Sequence, residues 1–149
     1  MKIDSFKDGF AFLSNFEPAF IRYKNLDFKT VEHAYQASKA MNMVDLEAVR
    51  NAPTARASKR LGRKIQIRPD WEQVKVPLMM NFLRQKFSYQ PYKDQLLSTG
   101  NHELVEGNTW GDTFWGVCDG KGENWLGKCL MQIRDELRDF ADIIPGEIV

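Results

Sequence analysis

The segment Thr30–Ala40 combines side chains that can do chemistry with a spacing typical of a helix. Read as a helix, it places Glu32, Gln36 and Lys39 on one side and small or apolar residues on the other. A carboxylate, an amide and an amine in one row are suited to form the wall of an active site. The same row is typical of an ordinary solvated helix face, and the segment alone leaves both interpretations open.

A second candidate lies between residues 107 and 125, where no helical or strand period is found. Within it, Trp110, Asp112 and Trp115 put two indoles and a carboxylate within six positions. Indoles offer flat faces to a base, and a carboxylate can bind ribose hydroxyls or stabilise a developing cation. A turn-rich loop pinned to the core by its tryptophans is an equally good interpretation.

Three smaller features also have two interpretations each. Asn15 and Phe16 lie in an aromatic stretch, where they either cap local backbone or present an amide and a ring to a ligand. His33 is displaced from the row of Glu32, so we expect it to pack or hydrogen-bond rather than to catalyse. A basic cluster is either a solvated face or a phosphate-binding rim; its members are Arg56, Lys59, Arg60, Arg63 and Lys64.

The surrounding pattern predicts an α+β fold, mostly helical with a small amount of sheet, in a single domain over residues 1–149. Two short strands, 20–23 and 26–28, flank a tight turn, and Thr30 is expected to cap the next helix. Gly62 is the predicted helix stop, and the last helix is expected to turn Phe140 inward. The other predicted elements are helices 45–50, 55–61, 93–98 and 126–141, a helix after Asp70 that contains Pro77, and a strand at 104–106.

Composition narrows the classes of function. The formal net charge of +1 argues against a protein that grips nucleic acid by bulk charge, and 43% hydrophobic residues suffice for a core. No membrane span or signal segment is predicted, so the expected location is the cytoplasm.

Cys118 and Cys129 have no second pair or histidine beside them. Free thiols without a metal are therefore expected.

Short segments along nearly the whole chain match one known family in order and spacing. They are Phe12–Phe16, Val31–Lys39, Leu61–Arg63, Trp71–Glu72 with Lys75, Met80, Leu83 and Lys86–Phe87, Leu96–Gly100, Leu104–Glu106, Asp112 with Trp115–Gly116, Gly120–Gly122 with Asn124, and Leu126–Gly127 with Leu130, Met131 and Arg134. With these segments the chain resembles the NADAR, or YbiA-like, family. It departs from the family pattern at Val117-Cys118 after Trp115-Gly116, in the earlier Trp110-Gly111 pair, and at Pro77.

The resemblance implies a compact, helix-rich α+β fold and an N-glycosidase that needs no metal or cofactor. Members cleave bonds between ribose C1 and a nitrogen. The implied substrate is either a phosphorylated ribosylamino-pyrimidine of riboflavin synthesis or ADP-ribosylated guanine, as a nucleotide or in nucleic acid. A module that binds a nucleotide or ADP-ribose without turnover is the alternative, and a structural partner protein is a third.

The resemblance also implies roles for individual residues. Glu32 is expected to stabilise charge on the ribose or act as general base, and Asp112 to position ribose or water. Lys39 is expected to attack C1 and form a Schiff base with ring-opened ribose, or else to hold a phosphate. The expected substrate-binding residues are Asn15, Phe16, Tyr35, Gln36, Arg63, Trp110, Trp115, Gly116 and Asn124.

Overall fold

The computed structural model describes residues 1–142, with side chains to residue 140. The chain forms two compact units: a terminal unit of Met1–Ser14 with Phe87–Val149, and a central unit of Asn15–Lys86. The expectation of one domain stays a prediction. The elements in chain order are β1 (Lys2–Ile3), a 3₁₀ helix (Asp8–Leu13), β2 (Pro18–Tyr23), β3 (Leu26–Thr30), α1 (Val31–Ser38), α2 (Met43–Arg50), α3 (Ala55–Gly62), α4 (Trp71–Lys86), α5 (Tyr92–Ser98), β4 (Glu103–Leu104), β5 (Gly107–Asn108), β6 (Val117–Cys118) and α6 (Trp125–Asp142).

The central unit starts with the predicted hairpin. β2 and β3 pair antiparallel, and Ile21 lies opposite Phe28 with both side chains buried. The turn residues Lys24 and Asn25 have φ values of 51° and 62°. This left-handed geometry matches the right-handed twist of a two-residue hairpin. The two predicted strands are therefore confirmed, although both extend further than expected.

Helix α1 forms the centre of this unit. Thr30 caps it as predicted, because its side chain accepts a 2.9 Å hydrogen bond from the His33 amide. All eight residues of α1 are buried, and the helix packs against β2, β3, α2, α3 and α4. The interpretation of this segment as a solvated face is therefore wrong.

The end of α1 differs from the expectation of a helix through residue 40. The helix ends at Ser38, and the Lys39 carbonyl accepts a 2.9 Å hydrogen bond from the Arg68 amide. Ala40 then pairs with Ile67 in an isolated antiparallel bridge. Because of these contacts the chain leaves the helix, and Lys39 lies at the C-terminal end of the helix.

The terminal unit contains two parallel pairs of two-residue strands, β1 with β4 and β5 with β6. Its core includes Leu96, Leu104, Leu130 and Ile133, which are almost fully buried. The prediction that Phe140 faces inward is wrong, since this side chain is 64% exposed. It lies in the last turns of α6, beyond the buried part of the helix.

Within the described part of the chain neither cysteine forms a disulfide; Cys118 is half-buried and Cys129 is buried. The α+β, mostly helical composition is as expected from the sequence. Within residues 1–142, no helix has both the length and the apolar character that crossing a bilayer requires.

Candidate functional site

The row of polar side chains on α1 is built around a buried carboxylate. Glu32 is 7% exposed and Gln36 only 4%, and Gln36 Nε2 donates a 2.7 Å hydrogen bond to Glu32 Oε2. The two residues are four apart, so they lie one above the other on the helix. Burying a carboxylate is costly unless it is hydrogen-bonded or paired. The Gln36 amide and the N-terminal position of Glu32 in the helix both reduce that cost.

Lys39 supplies an amine to the same row. Its Nζ lies 5.5 Å from the centroid of the Tyr35 ring and 5.9 Å from that of Trp71. Burial lowers the pKa of the Lys39 ammonium below its usual 10.5, while the Glu32 carboxylate raises it and Arg63 lowers it. Burial has the largest effect, so more of the amine is unprotonated near neutral pH than for an exposed lysine. An unprotonated amine is the form that can act as a nucleophile.

Other cations surround Lys39. Lys59, Arg63 and Lys75 each lower the pKa of Lys39 by Coulombic repulsion. Lys75 is mostly buried and forms a 2.8 Å ion pair with Glu72, while Arg63 is exposed. Lys39 and these three cations, which lie in or directly after α1, α3 and α4, are suited to hold an anionic group such as a phosphate.

The loop before β2 meets the N-terminal end of α1. The Asn15 carbonyl accepts a 3.1 Å hydrogen bond from the Glu32 amide, which brings Asn15 to the candidate acid. The Asn15 side chain is 8% exposed and donates a weak 3.6 Å bond to Met79 Sδ. Its Oδ1 has no hydrogen-bond partner among the described residues. Phe16 is 40% exposed, and Lys59 Nζ lies 6.0 Å from its ring centroid.

His33 has the structural role expected of it. One ring nitrogen lies 2.8 Å from Thr30 Oγ1, and the other lies 3.0 Å from the Ala52 carbonyl oxygen. Burial lowers the pKa of His33, so the neutral ring is favoured. The neutral ring donates to Ala52 and accepts from Thr30, which ties α1 to the segment after α2.

The acid and indoles of the second candidate lie in the terminal unit. Asp112 Oδ1 accepts hydrogen bonds from the amides of Phe114 (3.2 Å) and Trp115 (2.9 Å). Trp110 is 52% exposed, and Trp115 is partly exposed. Asp112 therefore shapes the turn that carries Trp115. The loop's predicted role in substrate binding stays a prediction.

Gly116 and Asn124 hold the same loop together. A Cβ at Gly116 would overlap the Glu106 carbonyl oxygen, so only glycine fits there without a shift. Asn124 Oδ1 accepts a 2.9 Å bond from the Glu106 amide, and Nδ2 donates a 2.9 Å bond to the Leu104 carbonyl. Both ends of this amide bind backbone. The expected substrate contacts of Gly116 and Asn124 stay predictions.

The predicted site residues thus fall into two sets. The central unit holds Asn15, Phe16, Glu32, Tyr35, Gln36, Lys39 and Arg63; the terminal unit holds Trp110, Asp112, Trp115, Gly116 and Asn124. Sequence reasoning missed Trp71 and Lys75 as neighbours of Lys39. Both occur in segments that match the family, which was the available signal.

Comparisons with known proteins identify the family. The NADAR domain model matches residues 5–138. A riboflavin biosynthesis protein of Vibrio vulnificus is 40% identical over 87% of this chain, but the chain spans only 36% of that protein. An N-glycosidase of Nostoc punctiforme is 37% identical, with 87% of each chain covered.

A solved structure is also similar along the chain. The NMR structure of Escherichia coli YbiA has a TM-score of 0.84 and 30% identity, and covers 97% of this chain and 91% of its own. The expected family and α+β fold are confirmed by these matches. The match of one family model to nearly the full length shows that the chain belongs to the NADAR domain family.

Proposed function

We propose that this chain is an N-glycosidase that hydrolyses the bond between ribose C1 and a nitrogen of a base or amine. The observation that carries this proposal is a buried carboxylate on α1, Glu32, that acts on a perturbed amine at the C-terminal end of the same helix, Lys39. Perturbed titratable groups that lie together are typical of active sites. The N-glycosidase names of relatives that match most of this chain support the same reaction class.

The chemistry follows from the charge that develops on the sugar. As the bond between C1 and nitrogen breaks, its electron pair leaves with the nitrogen, and positive charge builds on the ribose. The Glu32 carboxylate stabilises that charge. The departing nitrogen takes up a proton, which completes release of the base.

Lys39 is proposed to act covalently. Its unprotonated amine forms a bond to C1 and loses a proton. The bond between C1 and the ring oxygen then breaks, that oxygen takes up a proton, and a Schiff base links C1 of the opened ribose to the Lys39 nitrogen. Addition of water to C1 then breaks that link, releasing the free sugar and regenerating the amine. The lowered pKa of Lys39 supports this role, because a protonated amine has no free electron pair.

The substrate is proposed to carry a phosphate. The cations Lys59, Arg63 and Lys75 around Lys39 support this feature. Both a phosphorylated ribosylamino-pyrimidine and an ADP-ribosylated guanine satisfy it, and in the second case the guanine belongs to a nucleotide or to nucleic acid. The riboflavin-biosynthesis name of the Vibrio relative supports the first of these.

The test is incubation of the purified protein with each of these two substrates, followed by mass spectrometry of the products. An N-glycosidase releases the aminopyrimidine and ribose phosphate from the first substrate, or the unmodified guanine compound and ADP-ribose from the second. A module that only binds would shift in thermal stability with ligand and release nothing, and that result would overturn the proposal.

Borohydride reduction during turnover tests the covalent role separately. The Schiff base becomes a stable secondary amine, and peptide mass spectrometry is expected to place the added sugar on Lys39. Full turnover by Lys39→Ala, with no adduct trapped on the unsubstituted protein, would rule out the covalent role and leave the reaction class intact.

A further inference from the structure

The Glu32 carboxylate is held by a side chain that depends on the residue facing it from another helix. Gln36 Nε2 donates to Glu32 Oε2 at 2.7 Å, and the Gln36 side chain lies against Gly62, the last residue of α3. A Cβ built on Gly62 would overlap Gln36 Oε1 and lie 2.8 Å from Gln36 Cδ. The three atoms nearest to that Cβ all belong to Gln36.

The orientation of the Gln36 amide follows from its partners. Glu32 is an acceptor when ionised, so the Nε2 end must point towards it. Gln36 Oε1 is then directed to Gly62 and has no hydrogen-bond partner among the described residues. A buried amide oxygen without a partner costs free energy. The amide stays in this orientation because the charge-assisted bond to Glu32 outweighs that cost.

We infer that Gln36 is a positioning residue for Glu32, and that Gly62 is the residue whose missing side chain lets Gln36 reach it. The effect of this positioning on catalysis rests on the proposed function. Without the Gln36 hydrogen bond the Glu32 carboxylate can rotate away from the sugar. A displacement of about 1 Å lowers rates by about 100-fold. Gln36 itself need not contact the substrate.

Gln36→Met tests the hydrogen bond, since methionine keeps the length of the side chain and removes the donor. We expect kcat to fall by about 10- to 100-fold, with KM changed much less, and the melting temperature to fall because the buried carboxylate loses a hydrogen bond. The rate–pH profile is expected to change, because the carboxylate loses the hydrogen bond from Gln36. An unchanged kcat and pH profile would overturn the inference.

Gly62→Ala tests whether Gln36 needs the room left by the missing side chain of Gly62. The outcome depends on which residue is present at position 36. With Gln36 present, we expect lower stability and a rate as low as that of Gln36→Met, because the new methyl group displaces the amide. In the Gln36→Ala background the same methyl group has room, so Gly62→Ala should cost no further rate and little stability. Additive losses in the double variant would contradict the proposed contact.

A readout that needs no substrate separates this inference from the proposed function. The Glu32 carboxylate raises the pKa of Lys39. If Gln36 positions Glu32, Gln36→Met should lower the pH at which Lys39 becomes reactive to an amine-labelling reagent, in the same direction as Glu32→Gln. An unchanged Lys39 profile refutes the positioning role even if the protein cleaves neither substrate. Release of base by the wild type with unchanged Gln36→Met kinetics refutes it while the reaction class stands.

Discussion

Gln36 donates a 2.7 Å hydrogen bond to the Glu32 carboxylate, and both residues are at least nine-tenths buried on α1. The hydrogen bond from Gln36 reduces the cost of burying the Glu32 charge and holds the carboxylate in place. The same charge raises the pKa of the Lys39 ammonium. The acid and the amine are therefore electrostatically coupled. A change in either one should be measurable at the other.

Removal of the Glu32 charge should change how Lys39 titrates. Burial lowers the pKa of Lys39, and the Glu32 carboxylate raises it in the opposite direction. In Glu32→Gln the attraction is lost, so the pKa of Lys39 should fall further and its amine should react with a labelling reagent at lower pH. Labelling across a pH series, read by peptide mass spectrometry, measures this. A pKa that stays the same or rises would mean that the two groups are not coupled.

Arg63 should act on substrate affinity through the phosphate. Arg63→Gln removes an exposed cation near Lys39 and should raise KM for a phosphorylated substrate by about tenfold, the size of one charge-assisted hydrogen bond. It should also raise the pKa of Lys39, because Arg63 lowers it by repulsion. Lys64→Gln, the same loss of charge one residue along, is the control. Equal KM changes in both variants would show that Arg63 has no specific phosphate contact.

The charge of Asp112 can be removed without removing its turn. Asp112→Asn keeps the Oδ1 that accepts from the Phe114 and Trp115 amides. If the carboxylate positions ribose or water, kcat/KM should fall by about 100-fold while the melting temperature stays the same. Asp119→Asn, an exposed position in the same unit, should change neither quantity. Full activity in Asp112→Asn would limit Asp112 to shaping the loop.

Lys86 predicts a specific pH dependence of stability. This side chain is fully buried, and burial lowers its pKa from 10.5 to about 7, although Glu17 raises it. Between pH 7 and 10.5 the unfolded chain keeps a proton that the folded chain has lost, so the free energy of unfolding rises with pH across that window. The slope is at most about 1.4 kcal/mol per pH unit.

Lys86→Met removes that dependence. Its free energy of unfolding relative to the wild type should therefore decrease steadily as the pH is raised from 7 to 10 in urea titrations. Lys121→Met, at an exposed lysine, should show no such trend. A difference for Lys86→Met that is constant with pH would mean that Lys86 stays charged in the folded protein.

The row on α1 shows what could be predicted from sequence. Glu32, Gln36 and Lys39 recur at the spacing of a helix, and Thr30 is a strong cap, so their alignment followed from local pattern. Their burial did not, because it is set by α2, α3 and α4, which come from distant segments. That is why the solvated-face interpretation stayed open until the packing was known.

Other contacts do not follow from local sequence pattern. The nearness of Lys59 and Lys75 to Lys39 depends on how α3 and α4 pack, and no period links these positions. Gly62 was predicted as a helix stop, whereas its structural importance is the room it gives to Gln36. The strands β5 and β6 have two residues each, which is too few to show a strand pattern, and their segment is rich in turn residues.

The rate of base release by Glu32→Gln is the most direct test of the proposed role of α1. Single-turnover release from the better of the two substrates should fall by at least about 100-fold, with the melting temperature close to that of the wild type. Glu47→Gln, the same change on the surface of α2, should keep the wild-type rate. Equal rates in the wild type and Glu32→Gln would contradict a catalytic carboxylate on this helix.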